Sequence, residues 1–186
     1  MESTPRPHNR GVVMDPGFRA VVDGWQTHQA QLLDGVRPLT GEQLALRPGL
    51  EGWAIWQLAS NMAGGRAHWF HEVLGEGDPS IRDMFRVATT TVPGLPIEDA
   101  GWEDDEDHPR SARELVGAFE TTWALIDGCL RRWTADDLAV EFVRTYGRRQ
   151  SVSRGWVIWH LIEHELHHGT EIALILRSNG LPTLEV

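Results

Sequence analysis

Residues 153–178 read SRGWVIWHLIEHELHHGTEIALILRS, and their spacing predicts one long helix. Ser153 can cap its start, Asn179-Gly180 ends it, and Pro182 confirms the stop. An α-helix advances about 100° per residue, so residues four apart stand nearly in line, one turn up. His160, His164 and His168 therefore share a stripe, with Glu171 three residues further along it and Val157 and Ile175 near its two ends. Ile158, Leu161, Ile162, Leu166, Ile172, Ala173 and Leu176 fill the side away from the histidines. A helix apolar on nearly all sides is buried on more than one of them, so this one is expected at the centre of a helical fold or against a partner subunit.

Three further helices are predicted upstream. Pro16 opens the first, whose apolar positions Phe18, Val21, Val22, Trp25, Leu32, Leu33 and Val36 keep helical spacing until Pro38 ends it. Thr40 caps a short turn through Leu44, and Arg47-Pro48-Gly49 breaks the chain. The second long helix runs from about Trp53 to Leu74 and stops at Gly75-Glu76-Gly77-Asp78-Pro79. Gly64-Gly65 inside it costs roughly 1 kcal/mol per glycine relative to alanine, so close approach of a helix or a ligand is expected there. Ser111-Ala112-Arg113-Glu114 is a capping-box sequence and starts the third, which reaches about Trp133. Thr134 opens another short turn, and Tyr146-Gly147-Arg148-Arg149 reads as a turn between two brief extended pieces.

Residues 79–110 form a long connection with a helical turn around Ile81–Val87 and the acidic run Glu103–Asp107, which reads as a solvated loop. Four substantial helices without a strand series predict an all-α fold, a four-helix up-and-down bundle with that connection between helices two and three. One domain is expected over residues 15–186, behind a loose tail at 1–14.

Composition excludes several functions. A net charge of −10 speaks against binding a nucleic-acid backbone. No apolar run reaches the roughly 18 to 20 residues that span a bilayer, and MESTPRPHNRG lacks the apolar middle of a signal peptide. The single cysteine, Cys129, rules out an internal disulfide and an all-thiolate zinc site. It is expected as a small buried apolar residue, and it fits a reducing cytoplasm. All 17 basic residues are arginine. Nine tryptophans exceed what a bundle this size needs, which together with the apolar last helix predicts a homodimer. There is no Ser-His-Asp arrangement, phosphate loop or carboxylate pair placed for glycoside chemistry.

The concentrated chemical signal is His160, His164, His167 and His168, four of the nine histidines. Single helical histidines are more often hydrogen-bonded core or surface residues, but four within nine residues weigh the other way. His164 and His168 can chelate one divalent metal, as can His160 and His164. Glu171 could be a ligand or orient an imidazole. His160 and His168 are about 12 Å apart along the axis, so one ion cannot take all of them.

The segment Trp156–His168 followed by Glu171-Ile172, with Arg47-Pro48 and Trp53 upstream, resembles the signature of the DinB/YfiT-like family over roughly residues 15–180. The resemblance implies a four-helix bundle, often dimeric. Its metal site takes one His from helix two and two His, four apart, from helix four. Carried over by motif, the pair is His164 and His168. The helix-two position, eight after Trp53, is Asn61, a poorer ligand for zinc or nickel, so Asn61 or His160 would complete the set. His68 lies seven residues further on and is expected beyond the metal. Known activities in the superfamily are transferase and isomerase reactions that use a low-molecular-weight thiol. The resemblance thus implies a metal-dependent enzyme of that kind, with a small thiol as partner, or a bundle that has lost catalysis and binds a small molecule or serves as a dimeric structural protein.

Overall fold

Capping signals set most of the helix boundaries. The computed structural model describes residues 16–49, 52–87, 94, 100–144 and 150–184; the tail at 1–14 and the turn at Tyr146–Arg149 lie outside them. Helix α1 spans Pro16–Val36. The Thr40 side chain caps α2, Gly41–Leu44. Helix α3 spans Ile55–Ala67, with the Gln57 side chain accepting from the Ala54 amide at 3.0 Å. A turn of α4 follows at Ser80–Asp83, overlapping the start of the turn expected around Ile81–Val87. Ser111 and Glu114 form the predicted reciprocal cap of α5, Ala112–Leu130. Thr134 and Asp137 do the same for α6, Ala135–Leu138. Ser153 Oγ accepts from the Trp156 amide at 3.1 Å to open α7, Arg154–Ser178.

The protein is mostly helical, and the structure departs from the sequence reading in three places. The two brief extended pieces expected around residues 146–149 are antiparallel strands, β1 at Glu141–Arg144 and β2 at Gln150–Ser153, which pair Phe142 with Val152 and bring the chain into α7. The second long helix is not uniformly α: residues His68–Val73 widen into a π-helical turn, where the Leu74 amide reaches back five residues to the Trp69 carbonyl. Both aromatic rings of that turn find partners, Trp69 against Trp156 at 5.4 Å and Phe70 stacked on Trp133 at 5.6 Å.

The acidic run is not simply solvated. Trp102–Asp104 form a 3₁₀ turn, the Asn61 amide donates to Glu103, and buried Asp105 pairs with Arg110 at 2.8 Å. Finally, Leu166 is 44% exposed rather than inward. Its neighbour Glu165 takes the inward position, and successive helical residues point about 100° apart.

Helix α3 packs against both α5 and α7, and α1 packs on α5. One apolar cluster gathers Leu32, Ile55, Met62, Phe119 and Ile172; another gathers Trp25, Phe70, Ile126, Leu130 and Leu161. A fully buried ion pair ties these helices together. Arg66 of α3 donates through Nε and Nη2 to the two oxygens of Glu165 on α7, at 2.7 and 2.8 Å. Trp25 Nε1 of α1 donates to the same carboxylate at 2.9 Å. Arg66 Nη1 donates to Gln29 Oε1 at 2.7 Å, and Gln29 Nε2 donates to the Phe119 carbonyl of α5 at 3.3 Å. Such a fully paired network fixes how four helices sit together, because leaving any member unpaired in the core is costly. No helix among the described residues is long and apolar enough to cross a membrane.

Candidate metal centre

The histidines of α7 divide into two groups. His160 stacks on Trp156 (centroids 4.9 Å apart, planes 13°) and meets Trp69 edge-on at 4.9 Å. That aromatic packing sets it apart from His164, 6.1 Å away. His164 and His168 come together at 4.5 Å in an edge-to-face arrangement. His168 Nδ1 lies 2.7 Å from Glu171 Oε2, and His167 Nε2 lies 3.8 Å from Glu171 Oε1. The donor atoms of His167, His168 and Glu171 all lie within 4.8 Å of one another.

His164 is the anomalous member. Its Nδ1 is buried with no hydrogen-bond partner. Burial, then the neighbouring His168 and His160 rings, push its pKa down to about 4, so the imidazole is held neutral at pH 7. A Cβ built on Gly65 would stand 3.6 Å from the His164 ring, and one on Gly64 would stand 3.6 Å from Phe85. These are ordinary contact distances. The two glycines are not forced by a clash; they line a cavity of about 350 Å³ that also holds His164, Asn61 and Glu103. A second, larger cavity of about 640 Å³ lies on the His168 side, walled by Trp53, Leu58 and Leu174 and reached by Arg47 and Glu171.

Asn61 does face this region, but its amide is engaged. Nδ2 donates to Glu103 Oε1 at 2.8 Å, while Gln57 Nε2 holds the Glu103 carbonyl at 2.8 Å. Burial raises the Glu103 pKa, against the lowering effect of the Asn61 hydrogen bond. A Cβ on Gly101 would come within 2.5 Å of the Glu103 carboxylate, so a side chain there would make the acid shift. His68 lines the same cavity, with Nδ1 3.0 Å from Glu72, which also pairs with Arg82. Cys129 is buried as expected, and burial pushes its thiol up to about 11.

The donor set fits a divalent ion on two arms. His164 and His168 are adjacent imidazoles, one kept neutral by burial and one oriented by a carboxylate, which is the environment a metal-binding histidine needs. The third arm is different, since Asn61 presents its amide N–H to Glu103. Sequence reasoning missed Glu103, because an acid within an acidic run gives no sign that it turns inward. It also missed Arg66 and Glu165, although a signal existed. Ile158, Leu161, Glu165, Ile172 and Leu176 hold one i, i+3/i+4 stripe, and Ala59, Met62 and Arg66 hold another. Opposite charges in two apolar stripes point to a buried pair.

A crystal structure of a DinB-like protein from Bacillus cereus ATCC 10987 is similar at a TM-score of 0.62 and 18% identity, covering 90% of this chain and 96% of that one. The crystal structure of a conserved protein from Enterococcus faecalis is similar at a TM-score of 0.64 and 11% identity, covering 88% and 96%. At these identities the likeness speaks to fold. No curated protein matches the chain. The sequence profile of the DinB family matches residues 14–186, nearly the whole chain. This protein belongs to the DinB family.

Proposed function

We propose that this chain is a metal-dependent enzyme acting on a small molecule. The reaction is a transfer or isomerisation that uses a low-molecular-weight thiol, and zinc or nickel is held by His164 and His168. The fold we assign to it is a single up-and-down four-helix bundle over residues 15–186, working in the cytoplasm, where an unreactive buried Cys129 is at ease. The observation that carries the reading is His164, a neutral imidazole with a buried, unpartnered nitrogen, set 4.5 Å from a second histidine on the wall of a cavity. An unsatisfied buried polar atom costs roughly 1–3 kcal/mol, a cost more readily retained at a working site than in a structural core. Glu171 holds Nδ1 of His168, which leaves Nε2 of that ring for the ion. A bound divalent ion would supply an open position at which the pKa of a thiol or water falls. The chain's own part is to present that position between a polar cavity lined by Asn61 and Glu103 and an apolar one lined by Trp53 and Leu174.

Protein purified without a histidine tag should carry zinc or nickel by elemental analysis. His168→Ala should weaken zinc binding by roughly tenfold to a hundredfold or more, measured by calorimetry. Metal-free protein whose titration is unchanged in His168→Ala would overturn the reading. Asn61 supports a second reading, a bundle that has lost catalysis and binds a small molecule or serves as a dimeric structural protein, because its amide is turned to Glu103.

Either reading is compatible with a homodimer, which we also propose. Trp159, Leu166 and Leu174 are 62%, 44% and 56% exposed and stand seven and eight residues apart on α7. A two-fold contact along that stripe would cover all three at once. Sedimentation across a concentration series should give the dimer mass; a monomer persisting at high micromolar concentration would defeat it.

A further inference from the structure

The outer edge of the same helical turn holds a second set of converging donors. His167 Nε2 and His168 Nδ1 flank the two oxygens of Glu171, at 3.8 and 2.7 Å, and the three donors span no more than 4.8 Å. Ligands around a zinc ion sit about 2.0–2.2 Å from it, which places neighbouring donors roughly 3.3 Å apart. The observed spread therefore closes with small side-chain rotations. Two of the three groups are free to make them, since the His167 and Glu171 side chains are 64% and 44% exposed. The third, His168, is 14% exposed, with its ring beside those of His164 and Trp53. A net charge of −10 raises the local concentration of cations around the whole surface.

We propose that His167, His168 and Glu171 form a second, outer position for a divalent cation, alternative to the inner one rather than additional to it. The reason is the shared ring. A neutral imidazole has one nitrogen lone pair free, so His168 can ligate through Nδ1 beside Glu171 or through Nε2 beside His164, never both at once. Glu171 changes role with it, from the acceptor that orients His168 to a ligand in its own right. An ion thus has a solvent-side landing place one ring away from the interior. This goes beyond the inner-site reading and stands or falls separately from it.

The test is a zinc titration by calorimetry of tag-free wild type, His164→Ala, His167→Ala and the double variant. His167 is a surface residue outside the inner pair, so His167→Ala should fold normally and keep the inner binding event. Wild type should bind one zinc, and His164→Ala should still bind one, at least tenfold tighter than the double variant. If His164→Ala and the double variant bind alike, the outer position is overturned, and the inner one stands only where wild type binds more tightly than His164→Ala. If His164→Ala binds as wild type and His167→Ala is weakened, the outer position stands and the inner reading falls. Two zinc ions on wild type would overturn the exclusivity.

Discussion

His164 and Glu165 are adjacent on α7, yet their polar atoms are treated in opposite ways. Glu165 is fully buried, and its carboxylate accepts two bonds from Arg66 and one from Trp25. His164 keeps a buried nitrogen with no partner at all. One step of about 100° around the helix separates a saturated polar core from an unsatisfied polar wall. The difference teaches how to sort buried polar groups in a small helical protein. Saturated networks specify how the helices dock, and the metal site proposed above draws on the unsaturated atom beside a cavity.

The comparison is broken most directly by removing one partner from the saturated side. Glu165→Ala leaves Arg66 as an uncompensated buried charge, because an arginine cannot shed its proton, and should cost about 3–5 kcal/mol in chemical denaturation. The paired change Arg66→Met with Glu165→Leu should recover most of that, since well-packed apolar residues replace buried ion pairs at little cost. His164→Ala should cost about 1 kcal/mol or less. Equal losses for Glu165→Ala and His164→Ala would erase the distinction.

Acidification sharpens it next. The folded His164 pKa is about 4 against an ordinary 6.5, so above pH 6.5 the ring is neutral in both folded and unfolded chains. As the pH falls from 6.5 toward 4 the unfolded chain takes up a proton that the folded one refuses, and stability is lost across that window. Buried His28, lowered by burial in the same direction, adds to the loss. His164→Gln should therefore lose less stability than wild type between those two pH values in thermal or denaturant unfolding. Parallel curves would show that the His164 ring is not held neutral.

The smallest expected effect comes from supplying the unsatisfied side with the missing arm. Asn61→His places an imidazole where one nitrogen can meet Glu103 and the other can join His164 and His168. Zinc affinity should rise by about tenfold, because a nitrogen ligand backed by a carboxylate replaces an amide. Unchanged affinity would place Asn61 outside the reach of the pair.

Much of the helical framework was legible because its signals are local. Ser111 with Glu114, Thr134 with Asp137, and Ser153 before Trp156 announce their own caps, and the structure places helices where they predict. The proximity of His164 and His168 follows from helical geometry alone. What could not be read depends on partners distant in sequence. Glu103 turns inward only because Asn61 and Gln57, more than forty residues earlier, hold it. His160 packs against Trp69, far from it in sequence, and Trp156, on the same helix face, and its ring lies 6.1 Å from that of His164. Leu166 faces out because Arg66 draws Glu165 in.

The widened turn at His68–Val73 works as a one-residue vernier between the two ends of its helix. Asn61 lies on one side of it; on the other lies Glu76, whose carboxylate takes Arg154 at 3.1 Å, at the start of α7, and Arg132, at the end of α5. Deleting a single residue within the turn would restore an ordinary α-helix and leave the apolar composition almost untouched. The step of about 100° lost with that residue and the tighter winding of the turn nearly cancel, so Glu76 would still point toward both arginines. The wide turn thus absorbs one extra residue, and the half of the helix that faces the histidines keeps its phase with the half that anchors α5 and α7.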